Sequence, residues 1–74
     1  MLDVSRVAHS DPKILSGTPV FTGTRVPVRI LFEFLAAGDK LDEFLDAYPS
    51  VSRAQAVSLL EVAEQIVIDG ARSA

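Results

Sequence analysis

Two helices and the turn that joins them are predicted by residues 39–69, whose sequence is DKLDEFLDAYPSVSRAQAVSLLEVAEQIVID. Apolar and aromatic residues recur at a helical spacing, which places them on one face of a helix. They are Leu41, Phe44, Leu45 and Tyr48. Asp39 can cap the N-terminus of this helix, and Pro49 stops it. After a short connector, Ser52 and Gln55 form a capping box, the signature of a helix start. We therefore expect a helix-turn-helix arrangement made of helices two and three.

The third helix carries more apolar surface than a small core can cover. We expect it to occupy residues 52–69 and to end at Gly70, a length of roughly 27 Å at the standard rise per residue. Two apolar rows follow it, and its second half is expected to project beyond the core. An exposed apolar patch on such a helix is typical of a protein interface. The residues predicted to hold a homodimer or another partner are Leu59, Val62, Ile66, Val67 and Ile68.

Upstream of the helices, residues 19–28 (PVFTGTRVPV) predict a short β-hairpin. Gly23 fits the first central position of a two-residue turn, which requires a positive φ. This register places Phe21 opposite Val26. The prolines at positions 19 and 27 prevent full hydrogen bonding between the strands, so the hairpin is expected to be short and to lie at an edge.

The first helix is expected to begin at Pro27, whose fixed φ suits a first helical turn, and to extend to Ala37. Gly38 is its candidate C-terminal cap. The predicted fold is therefore mainly α: a three-helix, helix-turn-helix bundle preceded by a short N-terminal β-hairpin. We expect one domain over residues 1–74, with a β-element and loop in residues 1–28 and the three helices in residues 28–70.

The composition leaves little material for catalysis or metal binding. The 74 residues include no cysteine and one histidine, His9, which excludes disulfides and the usual kinds of zinc site. No serine has the surroundings of a nucleophile elbow, and acidic pairs such as Glu61 with Glu64 have the spacing of a solvated helix face. We therefore expect a binding protein and not an enzyme, with no cofactor, metal or small-molecule substrate, and assign His9 no role.

Charge is distributed unevenly along the chain, whose net charge is −3. Residues 1–32 carry four basic and two acidic side chains, whereas residues 33–74 carry three basic and eight acidic ones. The front half is therefore the expected anion-facing surface.

The N-terminus lacks a signal-peptide pattern and no apolar stretch is long enough to span a membrane, so we expect a cytoplasmic protein without membrane contact.

The helix-turn-helix spacing makes DNA a candidate partner. In such motifs the N-terminal residues of the second helix lie nearest the bases. Arg53 is suited to guanine and Gln55 to adenine. However, Arg53 is the only basic residue of the predicted helix, so most of the phosphate attraction is missing. The candidate DNA contacts are Ser52, Arg53, Gln55 and Ser58.

A longer motif lies at residues 11–28, DPKILSGTPVFTGTRVPV. It contains an acidic residue before proline, then Gly-x-Pro, then Gly-Thr-Arg-Val-Pro-Val. With the later Ala-Gly-Asp at residues 37–39 and Tyr-Pro-Ser-Val-Ser at residues 48–52, it resembles the domain of unknown function 433 family over about residues 3–68. The resemblance implies a homeodomain-like helical fold with an N-terminal β-element. It also implies a VapB-like antitoxin role beside a PIN-like nuclease toxin.

Within this motif, the candidate toxin contacts are Gly17, Pro19, Gly23, Thr24, Arg25 and Pro27. The guanidinium of Arg25 suits bidentate binding of a carboxylate, such as those of the acidic cluster that holds metal in a PIN-like active site. Alternatively, Arg25 pairs with this chain's own Glu33 or Asp42. The function expected from the sequence is a toxin-neutralising antitoxin; a DNA-binding autoregulator and a structural dimer or adaptor are the alternatives.

Overall fold

The computed structural model describes residues 4–73. It is mainly helical, which confirms the predicted class of three helices preceded by a short antiparallel β-element. Two single helical turns, Val4–Arg6 and Leu15–Gly17, lie in the N-terminal region. The remaining elements, in chain order, are β1 (Ala8–His9), β2 (Val20–Phe21), α1 (Val28–Ala36), α2 (Leu41–Ala47) and α3 (Arg53–Ser73).

The N-terminal sheet uses a strand that the sequence pattern did not indicate. β1 pairs antiparallel with β2 in a register that sets Ala8 opposite Phe21. The predicted second strand of the hairpin, after residue 25, contributes one bridge, between Val20 and Pro27, in the expected register. Proline has no N–H with which to extend a ladder, so pairing stops there and β2 forms its sheet with β1.

The junction between α1 and α2 is set by Gly38. Its φ is 92°, its N–H donates to the Leu35 carbonyl at 3.1 Å, and the N–H of Asp39 donates to the Phe34 carbonyl at 2.9 Å. This pair of bonds is a Schellman motif, which confirms Gly38 as the cap. The predicted N-cap at Asp39 is wrong: because its N–H closes α1, α2 begins one residue later, with Lys40 at the N-cap.

Helix α3 begins as predicted and ends later. The Gln55 N–H donates to the Ser52 hydroxyl and the Ser52 N–H donates to the Gln55 side-chain oxygen, each at 3.1 Å, which confirms the capping box. The predicted end at Gly70 is wrong, because Gly70 keeps a helical conformation and α3 continues to Ser73. Its 21 residues span about 31 Å.

An aromatic cluster forms the centre of the core. The Phe44 side chain is fully buried, and its ring centroid lies 5.9 Å from that of Phe21, 5.6 Å from that of Phe34 and 5.3 Å from that of Tyr48. Such spacings are those of favourable aromatic pairs. The other buried residues of the hydrophobic core, which pack around these rings, are Val7, Val26, Leu31, Val51, Ala56, Leu59 and Val62.

Two residues predicted for a partner surface belong to this core. Leu59 is 7% and Val62 is 6% exposed, so neither is available to a partner. Their burial follows from α1, α2 and the β-element packing on the first half of α3.

In residues 4–73, no helix has the length and apolarity to cross a membrane, and no group of three or more metal-ligating side chains forms.

Candidate functional site

The loop of residues 22–25, here called the arginine loop, connects β2 to the residues before α1. Its turn is closed by the Thr24 N–H, which donates to the Phe21 carbonyl at 2.9 Å. Gly23 has a φ of 80°, which confirms the predicted positive φ. It occupies the second central position of this four-residue turn, as a type II turn requires, and not the first position of a two-residue turn.

Side-chain hydrogen bonds fix the arginine loop from within. The Thr24 hydroxyl donates to the Phe21 carbonyl at 2.9 Å and accepts the Val26 N–H at 3.0 Å. One hydroxyl therefore ties the start of the loop to its end. This explains physically why threonine follows Gly23, since the hydroxyl can satisfy backbone groups that the short strands leave unpaired.

Two further side-chain bonds attach the arginine loop to the rest of the fold, in addition to the backbone bond from the Thr22 N–H to the Val7 carbonyl at 2.9 Å. The Thr22 hydroxyl donates to the Ser5 carbonyl at 3.0 Å, and the Gln55 side-chain amide donates to the Thr22 carbonyl at 2.9 Å. Gln55 thus caps α3 with its oxygen and holds the loop with its nitrogen. This second role was not predicted, because the two residues are 33 positions apart and no local spacing signals such a contact.

Arg25 is the charged side chain that the loop displays. It is exposed, and within residues 4–73 it has no ion pair or hydrogen bond. The predicted internal pairing is wrong, because both candidate acids have other partners. Glu33 binds Arg29, one helical turn away, at 2.6 Å, and Asp42 binds Arg53. A rigid loop therefore presents an uncompensated guanidinium to solvent.

The other motif residues shape the backbone. Gly17 has a φ of 90° and ends a helical turn. The Pro19 carbonyl accepts the Val28 N–H at 3.1 Å, and Pro27 is the N-cap of α1. Of the six residues predicted as toxin contacts, Arg25 is thus the one whose charged side chain is exposed and uncommitted.

The candidate DNA contacts at the start of α3 are largely engaged within the chain. Both ends of the Gln55 amide are bonded within the chain, so a bidentate contact with adenine would compete with these bonds. The Ser52 hydroxyl caps the helix, and Arg53 forms an exposed ion pair with Asp42, which offsets its charge. Ser58 is half-buried.

The apolar end of α3 is exposed, as predicted for part of the partner surface. Ile66 is 62%, Val67 is 69% and Ile68 is 37% exposed.

His9, in β1, is half-buried, and its Nδ1 has no hydrogen-bond partner within the described residues.

Replacing Gln55 by alanine should lower the free energy of unfolding by about 1–2 kcal/mol, because one cap bond and one part-buried bond to the loop are lost together. Urea unfolding of the variant measures this. The matched control is Gln65→Ala, which removes an exposed bond to Asp69 and should cost less than about 0.5 kcal/mol. Equal effects of the two substitutions would show that Gln55 does not hold the loop.

These features define a small three-helix domain that displays an arginine on a hydrogen-bonded loop. The chain belongs to the family described as Protein of unknown function (DUF433), whose model matches residues 9–63. The family resemblance expected from the motif is thereby confirmed. No solved structure matches the chain, and the homeodomain-like detail stays a prediction.

A curated relative shares part of this domain. The uncharacterised protein y4eO of Sinorhizobium fredii is 47% identical over 45 residues, which are 61% of this chain and 20% of that protein. The chain therefore matches about a fifth of the length of this relative. A similar segment thus occurs inside a protein several times longer than the matched region.

Proposed function

We propose that the chain is an antitoxin-like binding module of a type II toxin–antitoxin pair, which neutralises a PIN-like nuclease toxin by protein–protein contact. The observation that carries the proposal is the exposed, unpaired Arg25 on the arginine loop. A guanidinium binds carboxylates bidentately, and the metal-holding centre of a PIN-like nuclease is a cluster of carboxylates. As proposed, Arg25 occupies that cluster, and the module acts in the cytoplasm without catalysis or a cofactor of its own.

The hydrogen bonds of the arginine loop support a binding role. A mobile loop loses conformational entropy when it binds, typically about 0.5–1.5 kcal/mol for each long side chain that is immobilised. Here the backbone that carries Arg25 is already fixed by Thr22, Thr24 and Gln55. Binding therefore has to order little more than one side chain, which favours a tight and specific contact.

The DNA-binding alternative has less support. The spacing of α2 and α3 suits a helix-turn-helix, but Gln55 is bonded internally and Arg53 is paired with Asp42. Specific DNA binding draws much of its affinity from contacts between phosphates and free cations. DNA binding by this chain would therefore depend on a basic partner. If the chain is instead a structural dimer or adaptor, it would use the same binding surface, but its partner would not be a nuclease toxin.

The proposal is tested by co-expressing the tagged chain with a PIN-like protein encoded beside it. We expect the two to co-purify, the nuclease to be inactive in the complex, and its activity to return when the chain is removed by denaturation and refolding. A nuclease that elutes separately, with the same activity in the presence and absence of the chain, would overturn the proposal. Binding to the promoter DNA of the pair, across a range of salt concentrations, tests the alternative separately.

A further inference from the structure

The peptide unit between Thr22 and Gly23 is the central one of the turn that is closed by Phe21 and Thr24. Two turn types differ mainly in the direction of this unit: the φ of the third residue is about +80° in a type II turn and about −90° in a type I turn. The φ of Gly23 is 80°, which is the type II orientation. Glycine adopts positive and negative φ about equally readily, so Gly23 permits both orientations.

Gln55 of α3 holds this peptide unit in one of the two orientations. Its side-chain amide donates to the Thr22 carbonyl oxygen at 2.9 Å, and this bond is lost if the unit flips to the type I orientation. The Gln55 side-chain oxygen accepts the Ser52 N–H at the same time. A capping box accepts glutamate or glutamine at this position, but a carboxylate has no hydrogen to donate. The bond to Thr22 is therefore a physical reason for glutamine here.

The same bond determines the direction of the Gly23 N–H. The N–H and C=O of a trans peptide point in opposite directions, and the described residues contain no cis peptide. Because the Thr22 carbonyl points toward the Gln55 side chain, the Gly23 N–H points away from it. Gly23 is exposed, and a Cβ added there would meet no atom within 4 Å beyond its chain neighbours. Within residues 4–73 its N–H has no hydrogen-bond partner, so this donor is free.

We propose that the Gly23 N–H is a second donor to the carboxylate that Arg25 binds, and that Gln55 is the positioning residue that turns this donor outward. Two Cα–Cα steps separate Gly23 from Arg25, about 8 Å at most, which a long, exposed arginine side chain spans. A carboxylate accepts hydrogen bonds on both oxygens, so it binds a backbone N–H and a guanidinium together. The inference rests on the function proposed for the arginine loop and adds a fixed backbone donor to its charge.

The substitution Gln55→Glu separates the two bonds of this side chain, because glutamate keeps the capping box and loses the donation to Thr22. Nuclear Overhauser spectra of the free 74-residue chain report the orientation of the peptide unit. In the wild type we expect a strong cross-peak between the Thr22 Hα and the Gly23 N–H, as in a type II turn. In Gln55→Glu we expect a cross-peak between the N–H protons of Thr22 and Gly23 to appear, as in a type I turn. Wild-type cross-peaks in this variant would overturn the role of Gln55.

Binding is measured with a capped tri-aspartate peptide as the carboxylate probe, by following the nitrogen–proton correlation peaks of Gly23 and of the Arg25 side chain. In the wild type both peaks should shift with one dissociation constant. Gln55→Glu should raise this constant about three- to tenfold more than Ala54→Glu does. The latter is the matched control, because it adds the same charge to the first turn of α3 at an exposed position. Equal constants for the two variants would overturn the proposal.

The wild-type titration also separates failure of this proposal from failure of the proposed function. A Gly23 peak that does not move while the Arg25 peak shifts would overturn the second donor and leave carboxylate binding by Arg25 in place. If neither peak moves, carboxylate binding by the whole arginine loop is overturned, and the function proposed above fails with it.

The substitution Gly23→Ala tests the same orientation without a change of charge. Alanine disfavours a positive φ, so we expect the type I cross-peak and a similar weakening of tri-aspartate binding. The matched control is Gly38→Ala, which alters another glycine with a positive φ, 92°, and with open space around an added Cβ. It should bind the peptide as the wild type does. Equal affinities of the two alanine variants would overturn the proposal, and circular dichroism confirms that each variant remains folded.

Discussion

Replacing Phe44 by alanine is expected to lower the free energy of unfolding of the domain to about 2 kcal/mol or less. The Phe44 side chain is fully buried and contacts three aromatic rings. Truncating such a residue costs about 3–5 kcal/mol, because the contacts are lost and a cavity remains. The total stability of so small a domain is on the order of 5 kcal/mol. The substitution therefore removes most of the free energy that keeps the chain folded.

The measurement is urea unfolding followed by circular dichroism, with Phe32→Ala as the matched control. Phe32 lies in α1 and is 40% exposed, so its truncation should cost less than about 1 kcal/mol. A Phe44→Ala chain that retains a cooperative transition and loses no more stability than Phe32→Ala would contradict the position of Phe44 at the centre of the core.

Helix periodicity explains how much of this core the sequence could predict. The spacing of apolar residues at positions 41, 44, 45 and 48 predicted the inner face of α2, and Phe44 lies at its centre. The capping box and Gly38 were also predictable, because each depends on residues within one helical turn. β1 was not, since two residues are too few to show a period of two.

The candidate site was predictable only in part, for a similar reason. Arg25 was identified from its motif. Whether its side chain forms an ion pair within the chain, however, depends on whether the nearby acidic residues already pair with other arginines. Glu33 is one helical turn from Arg29, a spacing that favours pairing, while Asp42 is held by Arg53, which is 11 positions away. The bond between Gln55 and Thr22 is longer still in sequence, and nothing local signals it.

Replacing Arg25 by alanine should weaken binding to a PIN-like partner by about 30- to 1,000-fold, the range of a hot-spot residue. Arg25→Lys should recover only part of the affinity, because an ammonium cannot bind a carboxylate with two parallel bonds. Stability should change by less than about 0.5 kcal/mol, since Arg25 is exposed and unpaired. Isothermal titration calorimetry measures the affinities, and urea unfolding measures the stability.

The control for this series is Arg29→Ala, which removes a neighbouring arginine that already has an intramolecular partner in Glu33. Arg29→Ala should weaken binding by less than about threefold, because the charge of Arg29 is already offset by Glu33. The loss of this exposed ion pair should also change the stability of the fold little. If Arg29→Ala and Arg25→Ala weaken binding equally, general charge is responsible and the arginine loop has no special role.

The most direct test of the arginine loop as the docking site is a double-mutant cycle measured by calorimetry. One arm is Arg25→Ala in this chain, and the other replaces the metal-site carboxylates of the PIN-like partner by amides. If Arg25 binds those carboxylates, each change alone should weaken binding strongly, and the second should add less than about threefold once the first is present. Effects that multiply as for independent sites, or wild-type affinity in Arg25→Ala, would contradict the proposal that Arg25 neutralises the nuclease through its acidic centre.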